Sequence, residues 1–292
     1  MEDTGNYKIK NIISSSHINF LFGAGVNGRA FPQLNGFKDT IKLLSSFVGQ
    51  DIQDFEGAID KFSNTDEKIQ VYDSFEKEFK QFAQKIDYDD PSLIHLKELF
   101  IAIYKIVENS ENRQKDMKQI NIYSLNYDNI AENILHSLGY MNNSVSASNL
   151  GENIRFLDLV AYDYTTYKYI PTFVISKLHG DINKPIYPGI NKYETSLQSE
   201  YFEINYRMKE QLCKFNSVLF VIGYSCNDKH INKILLDCLK HGLIIIWCKF
   251  SEKDRVLENC PSEQLIVLSQ EDDDSPQDMT LVCKNFLEKI YD

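Results

Sequence analysis

The sequence predicts a doubly wound α/β fold, in which helices cover both faces of a mostly parallel β-sheet. Two observations lead to this prediction. Short, nearly continuous apolar runs recur along the chain, and segments with apolar residues at helical spacing follow them. The chain has 292 residues, 43% of them hydrophobic, which is enough to enclose a large core.

Six apolar runs are expected to form the strands of this sheet. They lie at residues 17–22, 119–125, 172–178, 217–223, 243–248 and 264–269. Because these runs alternate with helices, we expect a Rossmann-like sheet of about six strands. The first run, HINFLF, leads directly into the glycines of GAGVN, as the first strand of many nucleotide-binding folds does.

Residues 37–118 interrupt this alternation. They contain FEKEFKQFAQKI and SLIHLKELFIAIYKIVENS, in which apolar residues recur at helical spacing. We expect a helical insertion at about 37–118, after the first βα unit and packed over the mouth of a pocket. Residues 140–171 suit either an edge hairpin or a loop with one strand. No internal repeat or low-complexity linker occurs, so residues 1–292 are expected to form a single domain.

Composition and charge argue against several classes of protein. The net charge of −11 opposes wide contact with nucleic acid, so direct nucleic-acid binding is not expected. No apolar run approaches the length of a membrane span, and the N-terminus MEDTGNYKIK lacks the pattern of a signal peptide. We expect a cytoplasmic protein without membrane contact. The six cysteines include no CxxC pair, so we expect reduced thiols and no metal site.

Four polar or glycine clusters follow predicted strands. They are GAGVN (23–27), LNYD (125–128), KLHGD (177–181) and GYSCND (223–228). In doubly wound sheets ligands bind outside the carboxyl ends of the strands, so these clusters are expected to converge on one ligand site.

The GAGVN cluster has two interpretations. Gly23 and Gly25 can let backbone N–H groups reach a pyrophosphate, or they can simply form a tight turn. Because the helical insertion follows this cluster, no strand that ends in an acidic ribose ligand comes directly next in the chain, which disfavours an ordinary dehydrogenase site.

The remaining clusters supply side chains suited to catalysis. Asn126 and Asp128 follow a buried strand, where polar groups are costly unless they bind something, although Asp128 can instead cap the next helix. His179 lies between a buried strand and a glycine, where it suits a general base or a turn histidine bonded to backbone. In GYSCND, Ser225 suits a ligand contact and Asp228 suits a helix cap.

Taken together, GAGVN, SLNYD, KLHGD and GYSCND resemble the sirtuin-like superfamily, named for the silent information regulator. Within it the chain is most similar to the bacterial anti-phage defence branch, whose members cleave NAD. The four-cysteine zinc module of the deacylases is missing, SLNYD replaces their Thr-Gln-Asn-Ile-Asp type motif, and the helical insertion is differently placed.

The resemblance implies roles for individual residues. Asn126 and His179 match the catalytic Asn and His of the family, with Asp128 as the neighbouring acid. Asn27 stands where the family commonly has Ser. The phosphates of NAD are assigned to the loop of Gly23, Ala24, Gly25, Val26 and Asn27. The adenosine half is assigned to Gly223, Tyr224, Ser225 and Asn227.

The resemblance therefore implies an NAD+ hydrolase that releases nicotinamide and ADP-ribose and depletes NAD in anti-phage defence (abortive infection). NAD+ is the substrate, and no metal is expected. The alternatives are an NAD-dependent protein deacylase and a noncatalytic module that senses NAD or a related nucleotide. Because an unregulated NAD hydrolase would poison its host, we expect a homo-oligomer controlled by assembly, by a partner subunit or by a phage-derived trigger.

Overall fold

The computed structural model describes residues 2–52, 55–61, 65–110, 113–150, 159–187, 194, 196–251, 254–269 and 278–291. The described strands, in chain order, are β1 (His17–Phe22), β2 (Gln119–Ser124), β3 (Asn142–Val145), β4 (Tyr162–Asp163), β5 (Lys168–Tyr169), β6 (Thr172–Lys177), β7 (Gly180–Asp181), β8 (Lys184–Pro185), β9 (Ser217–Ile222), β10 (Ile244–Cys248) and β11 (Leu265–Leu268).

Seven of these strands form the central sheet, in the order β11-β10-β9-β1-β2-β6-β3. Every neighbouring pair in it is parallel. The chain builds one half of the sheet outward from β1 through β2 and β6, and the other half from β9 to β11. The direction of winding thus changes between β1 and β9, which is where doubly wound sheets bind ligands.

The described helices are α1 (Glu2–Ser14), α2 (Lys38–Val48), α3 (Phe55–Lys61), α4 (Thr65–Ala83), α5 (Pro91–Asn109), α6 (Ile130–Ser137), α7 (Ser199–Leu212), α8 (Lys229–Leu239) and α9 (Met279–Tyr291). Within the described part of the chain, no helix combines the length and apolar character needed to cross a membrane.

Both faces of the sheet are covered, which explains why its central strands are apolar at consecutive positions. On one face, Phe20 and Phe22 of β1 belong to a core shared with α5 and α9. On the other face, Leu21 belongs to a core shared with α7 and α8. Each fully buried Leu, Ile or Phe in these cores contributes about 1.5–3 kcal/mol through the hydrophobic effect. The doubly wound α/β prediction is confirmed.

The segment between β1 and β2 is helical, as expected. Helix α5 packs on the sheet through Phe100, whose ring centroid lies 6.2 Å from that of Phe22. Helices α2 and α4 lie against each other, and the buried Glu78 of α4 accepts hydrogen bonds from the backbone N–H groups of Asp39 and Thr40 at the start of α2. The predicted insertion thus comprises α2–α4 and the sheet-covering helix α5.

Two details differ from the sequence-based expectation. The sheet has seven strands rather than six, because Asn142–Val145 adds an edge strand whose polar residues gave no apolar signal. The segment 140–171 therefore contains this strand as well as the small antiparallel hairpin of β4 and β5. Residues 151–158 of that segment lie outside the described residues.

Candidate functional site

A cavity of about 410 Å³ lies at the carboxyl edge of the sheet, where the four sequence clusters meet. All but one of the predicted site residues line it: Gly23, Ala24, Gly25, Asn27, Asn126, Asp128, His179, Gly223, Tyr224, Ser225 and Asn227. The exception is Val26, which is 3% exposed and packs in the core under the sheet edge. Its predicted phosphate contact is therefore not supported by its position.

The glycines of GAGVN and GYSCND pack their backbones against each other. The N–H of Gly23 donates to the carbonyl oxygen of Ile222 at 3.0 Å, and the N–H of Gly25 donates to the carbonyl oxygen of Gly223 at 3.2 Å. A Cβ atom on Gly23 would lie closer than 3.0 Å to the Gly223 backbone. These two N–H groups, predicted to reach a pyrophosphate, are thus used within the protein, and glycine is required for contact between the loops.

Asn126 links the loop after β2 to the glycine turn. Its side-chain Nδ2 donates to the carbonyl of Gly23 at 3.2 Å, and its backbone N–H donates to Ser124 Oγ at 3.1 Å. The residue is 8% exposed and lines the cavity. The side chain is therefore fixed across the ends of β1 and β2.

Asp128 serves the following helix and the cavity at once. One carboxylate oxygen accepts from the N–H of Ile130, the first residue of α6, at 3.0 Å. The other accepts from Nδ2 of Asn27 at 2.8 Å. Burial raises the pKa of Asp128 above its ordinary value, while Lys177 and these two hydrogen bonds oppose the rise. Asn27, predicted to contact phosphate, instead uses its amide to hold this carboxylate.

His179 follows β6 and is 4% exposed. Its Nε2 atom lies 3.6 Å from Oδ1 of Asp228, beyond normal hydrogen-bonding distance but close enough for a carboxylate to stabilise an imidazolium. Asp228 occupies the N-cap position of α8, as predicted, but its side chain makes no capping hydrogen bond. Its carboxylate lies near the imidazole of His179 instead.

The loop after β9 forms another wall of the cavity. Ser225 and Asn227 are exposed at its rim, where a ligand can reach them. Tyr224 is buried, and its hydroxyl donates to Oδ1 of Asn232 in α8 at 2.7 Å. The tyrosine thus offers the cavity its ring, while its hydroxyl fastens the loop to the helix.

The helical segment supplies an aromatic end that sequence reasoning did not assign to the site. Besides Tyr224, the aromatic lining residues are Phe31, Phe37, Phe55, Phe75, Phe79 and Tyr127. Phe75 and Phe79 lie in FEKEFKQF, where their helical spacing is equally typical of an ordinary core helix, so the sequence offered no signal for this role. The acidic residues at the cavity are Glu56, Asp128 and Asp228, and none of the described residues that line it is Lys or Arg.

Tyr127 connects this aromatic end to the rest of the site. Its hydroxyl donates to the carbonyl of Ile186 at 2.5 Å, and the neighbouring Tyr187 stacks on Tyr72 of α4 with centroids 4.2 Å apart. Across the described ranges, no group of three or more His, Cys, Asp or Glu side chains is arranged to hold a metal ion.

Three comparisons relate the chain to known proteins. The model of the SIR2-like domain family matches residues 120–243, which include the LNYD, KLHGD and GYSCND clusters. No curated protein matches the chain. A solved structure from work on the structural basis for the mechanism and regulation of Sir2 enzymes shares 11% identity, covers 98% of this chain and 97% of its own, and has a TM-score of 0.44. The family match supports the predicted similarity to the sirtuin-like superfamily.

Proposed function

We propose that this protein hydrolyses NAD+ to nicotinamide and ADP-ribose. The observation that carries the proposal is the meeting of Asn126, Asp128 and His179 in one cavity with the loops after β1 and β9. The SIR2-like family match over residues 120–243 supports NAD-dependent activity in general. The finer assignment to hydrolysis depends on the chemistry that these side chains can perform.

In the proposed reaction, the bond between the nicotinamide nitrogen and C1′ of the ribose breaks, and its electron pair leaves with nicotinamide. Positive charge develops on the ribose as in an oxocarbenium ion. A water oxygen bonds to C1′, and His179 accepts a proton from that water or from a ribose hydroxyl. Asp228, 3.6 Å from the imidazole, stabilises its protonated form. The balance is NAD+ and water to nicotinamide, ADP-ribose and a proton.

The other residues bind and orient the substrate in this proposal. Asn126, fixed by its bond to Gly23, contacts the nicotinamide ribose or the attacking water. Asp128 orients Asn126 or the ribose. The exposed Ala24, with Gly23 and Gly25 beside it at the cavity, faces the phosphates, and Ser225 with its neighbours faces the adenosine half. The aromatic end of the cavity offers a water-excluding surface for a planar ring.

Chromatography of products tests the reaction. Protein incubated with NAD+ and no acylated peptide is expected to release nicotinamide and ADP-ribose. Acyl-ADP-ribose formed only with an acylated peptide would establish a deacylase instead. NAD+ that binds but stays intact under every activating condition tried would favour a sensor.

Variants at the proposed catalytic positions test the residue roles. We expect Asn126→Ala and His179→Ala each to lower kcat on the order of 10²-fold or more, the typical contribution of a positioned acid–base group. His241→Ala is the matched control, because His241 is exposed after the end of α8. A folded His179→Ala variant with near-normal turnover would remove this residue from the mechanism.

The resemblance to the anti-phage branch supports a further part of the proposal, that NAD+ is depleted during infection by an oligomer under the control of a partner or a phage-derived trigger. Cellular NAD+ is then expected to fall after phage infection in bacteria that express the protein, and to remain stable in bacteria that express the Asn126→Ala variant. Equal NAD+ levels in both cultures would contradict the defence role without contradicting hydrolysis.

A further inference from the structure

Lys177 is a buried cation behind the candidate site. It is the last residue of β6, two positions before His179, and is only 2% exposed. Taking an ammonium group out of water costs several kcal/mol unless partners replace its hydration. Packing alone therefore does not explain why a lysine is buried at position 177.

The partners of Lys177 lie in the loop and helix that follow β2. Its Nζ donates to the main-chain carbonyl of Asp128 and lies 3.5 Å from that of Asn126. It also forms an ion pair with Oε1 of Glu132 in α6 at 3.0 Å. The three N–H donors of an ammonium thus match two carbonyls and one carboxylate.

Glu132 is itself held in place for this contact. Its Oε1 accepts a hydrogen bond from Ser144 Oγ of β3 at 3.0 Å, and its side chain is 14% exposed. Lys177 therefore connects β6 to α6 and, through Glu132, to the edge strand. The segment enclosed by these contacts is the one that carries Asn126 and Asp128.

Holding two carbonyls in one segment fixes the backbone from which both side chains project. The amide of Asn126 reaches Gly23 at 3.2 Å and the carboxylate of Asp128 reaches Asn27 at 2.8 Å, so a shift of this segment would disturb both. The positive charge has a second effect. Burial raises the pKa of Asp128, Lys177 opposes that rise, and Glu132 adds to it.

We propose that Lys177 is a positioning residue that holds the 126–128 segment in its reactive geometry. This inference rests on the proposed NAD+ hydrolysis, to which it adds a residue that does not touch the cavity. Lys177→Met is expected to lower kcat by about 10- to 100-fold, because small displacements of catalytic groups cost that much, with little change in KM.

Two readouts separate positioning from a merely structural role. In Lys177→Met the acid limb of the kcat profile is expected to move to higher pH, because Asp128 loses the charge that favours its ionised form. Lys177→Arg keeps that charge but not the compact ammonium geometry, so its acid limb is expected to stay near the wild-type position while kcat falls. Lys209→Met is the control, since it removes an ion pair with Asp237 that is remote from the cavity.

Hydrogen exchange and NMR test the role of Lys177 without a measurement of catalytic activity. In Lys177→Met, amides of residues 126–130 are expected to exchange at least about 10-fold faster, because a charge-assisted hydrogen bond is lost, while those of β9 are unchanged. The Asp128 carboxyl is expected to titrate at higher pH. If Lys177→Met does not fold, Lys177→Met combined with Glu132→Gln leaves no unpaired buried charge and is used for the exchange measurement.

The outcomes are distinguishable. Unchanged exchange at 126–130 and an unchanged Asp128 titration would overturn the proposal, as would a fall in kcat without any shift of the acid limb. A wild-type protein that leaves NAD+ intact would instead contradict the proposed function, and the exchange and NMR results would still decide the role of Lys177.

Discussion

At the residue scale, the contact between the two glycine loops makes Gly223 a sensitive position. Its φ is +71°, and an added Cβ would lie closer than 3.0 Å to the backbone of Gly25 and Val26. We expect Gly223→Ala to lower the free energy of unfolding by about 2–5 kcal/mol, the sum of left-handed strain and overpacking. Urea unfolding measures this change.

Gly139 is the matched control for that substitution. Its φ of +70° is nearly the same, but an added Cβ would meet nothing within 4 Å. We expect Gly139→Ala to cost only the left-handed strain, about 1–2 kcal/mol, with unchanged NAD+ affinity. Equal destabilisation by the two variants would mean that the loops separate easily, contrary to the packing described above.

Asp128 should leave a signature in the pH dependence of stability. Its pKa in the folded protein is raised above the ordinary value of 3.8, chiefly by burial. The Asp128 carboxyl therefore stays protonated to higher pH in the folded state than in the unfolded chain. The stability that comes from this bound proton is lost as the pH rises through the raised pKa. We expect the stability of the wild type relative to Asp128→Asn to fall by at most about 1.4 kcal/mol per pH unit within that window.

Asp181 provides the opposite case for comparison. Burial alone would raise its pKa, but hydrogen bonds from Ser148 and Ser146 together hold it below the ordinary value of 3.8. The contribution of Asp181 to folding stability is complete above pH 3.8 and is lost only as the pH falls below that value. The difference between wild type and Asp181→Asn should therefore be constant above about pH 5. Parallel curves for both variants would refute the sign assigned to Asp128.

At the element scale, the helical layer over the cavity depends on one buried carboxylate. Glu78 of α4 is 7% exposed and accepts from the Asp39 N–H at 3.1 Å and the Thr40 N–H at 2.7 Å. Glu78→Ala removes the acceptor of the buried Thr40 N–H, so we expect a loss of about 1–3 kcal/mol in unfolding free energy. Weaker NAD+ binding should accompany it, because Phe37 and Phe75 line the cavity.

Glu78→Gln is the matched variant, because its one side-chain oxygen can still accept from the N–H of the buried Thr40, whereas its NH2 group cannot accept from the N–H of Asp39. It should retain part of the stability and NAD+ affinity that Glu78→Ala loses. Limited proteolysis can locate the effect, with earlier cleavage expected between residues 38 and 83 in Glu78→Ala. Uniform loosening of the whole chain would instead assign Glu78 to general packing.

The elements that the sequence predicted well are those with buried neighbours on both sides. Strands β1, β2 and β9 are buried at every position. β1 and β9 are therefore nearly continuous apolar runs, whereas β2 also carries the buried polar residues Gln119, Asn121 and Ser124. Strand β3 was not predicted, because it is an edge strand with partly exposed residues and its sequence contains no apolar run. Its pairing with β6 is a tertiary contact that no local pattern encodes.

At the scale of the whole molecule, the site also combines features that the sequence predicts with tertiary contacts that it does not. Parallel strands bring their carboxyl ends to one edge, so topology alone predicted that the four clusters converge. The contacts among them were not predictable, because the partner of Asn27 is 101 positions away and that of Gly23 comes from the loop after β9. In the aromatic end, Phe55, Phe75 and Phe79 lie on α3 and α4, and no local sequence pattern predicts where these helices pack.

Charge across the whole molecule leads to a prediction about NAD+ binding. The protein has a net charge of −11, and the described residues lining the cavity include three carboxylates and no Lys or Arg. A pyrophosphate bound there is held by neutral donors, so added salt has no attractive phosphate ion pair to screen. Salt instead weakens the long-range repulsion between the acidic protein and the anionic substrate.

We therefore expect the Kd for NAD+ to stay constant or fall as NaCl is raised from about 50 to about 500 mM, a range in which the Debye length shrinks several-fold. Calorimetry with the His179→Ala variant measures binding without turnover. Nicotinamide, which lacks phosphates, is the control ligand and should show no dependence on salt. A tenfold increase in the Kd for NAD+ over this range would mean that cationic side chains hold the phosphates, and the neutral-donor account of the cavity would be wrong.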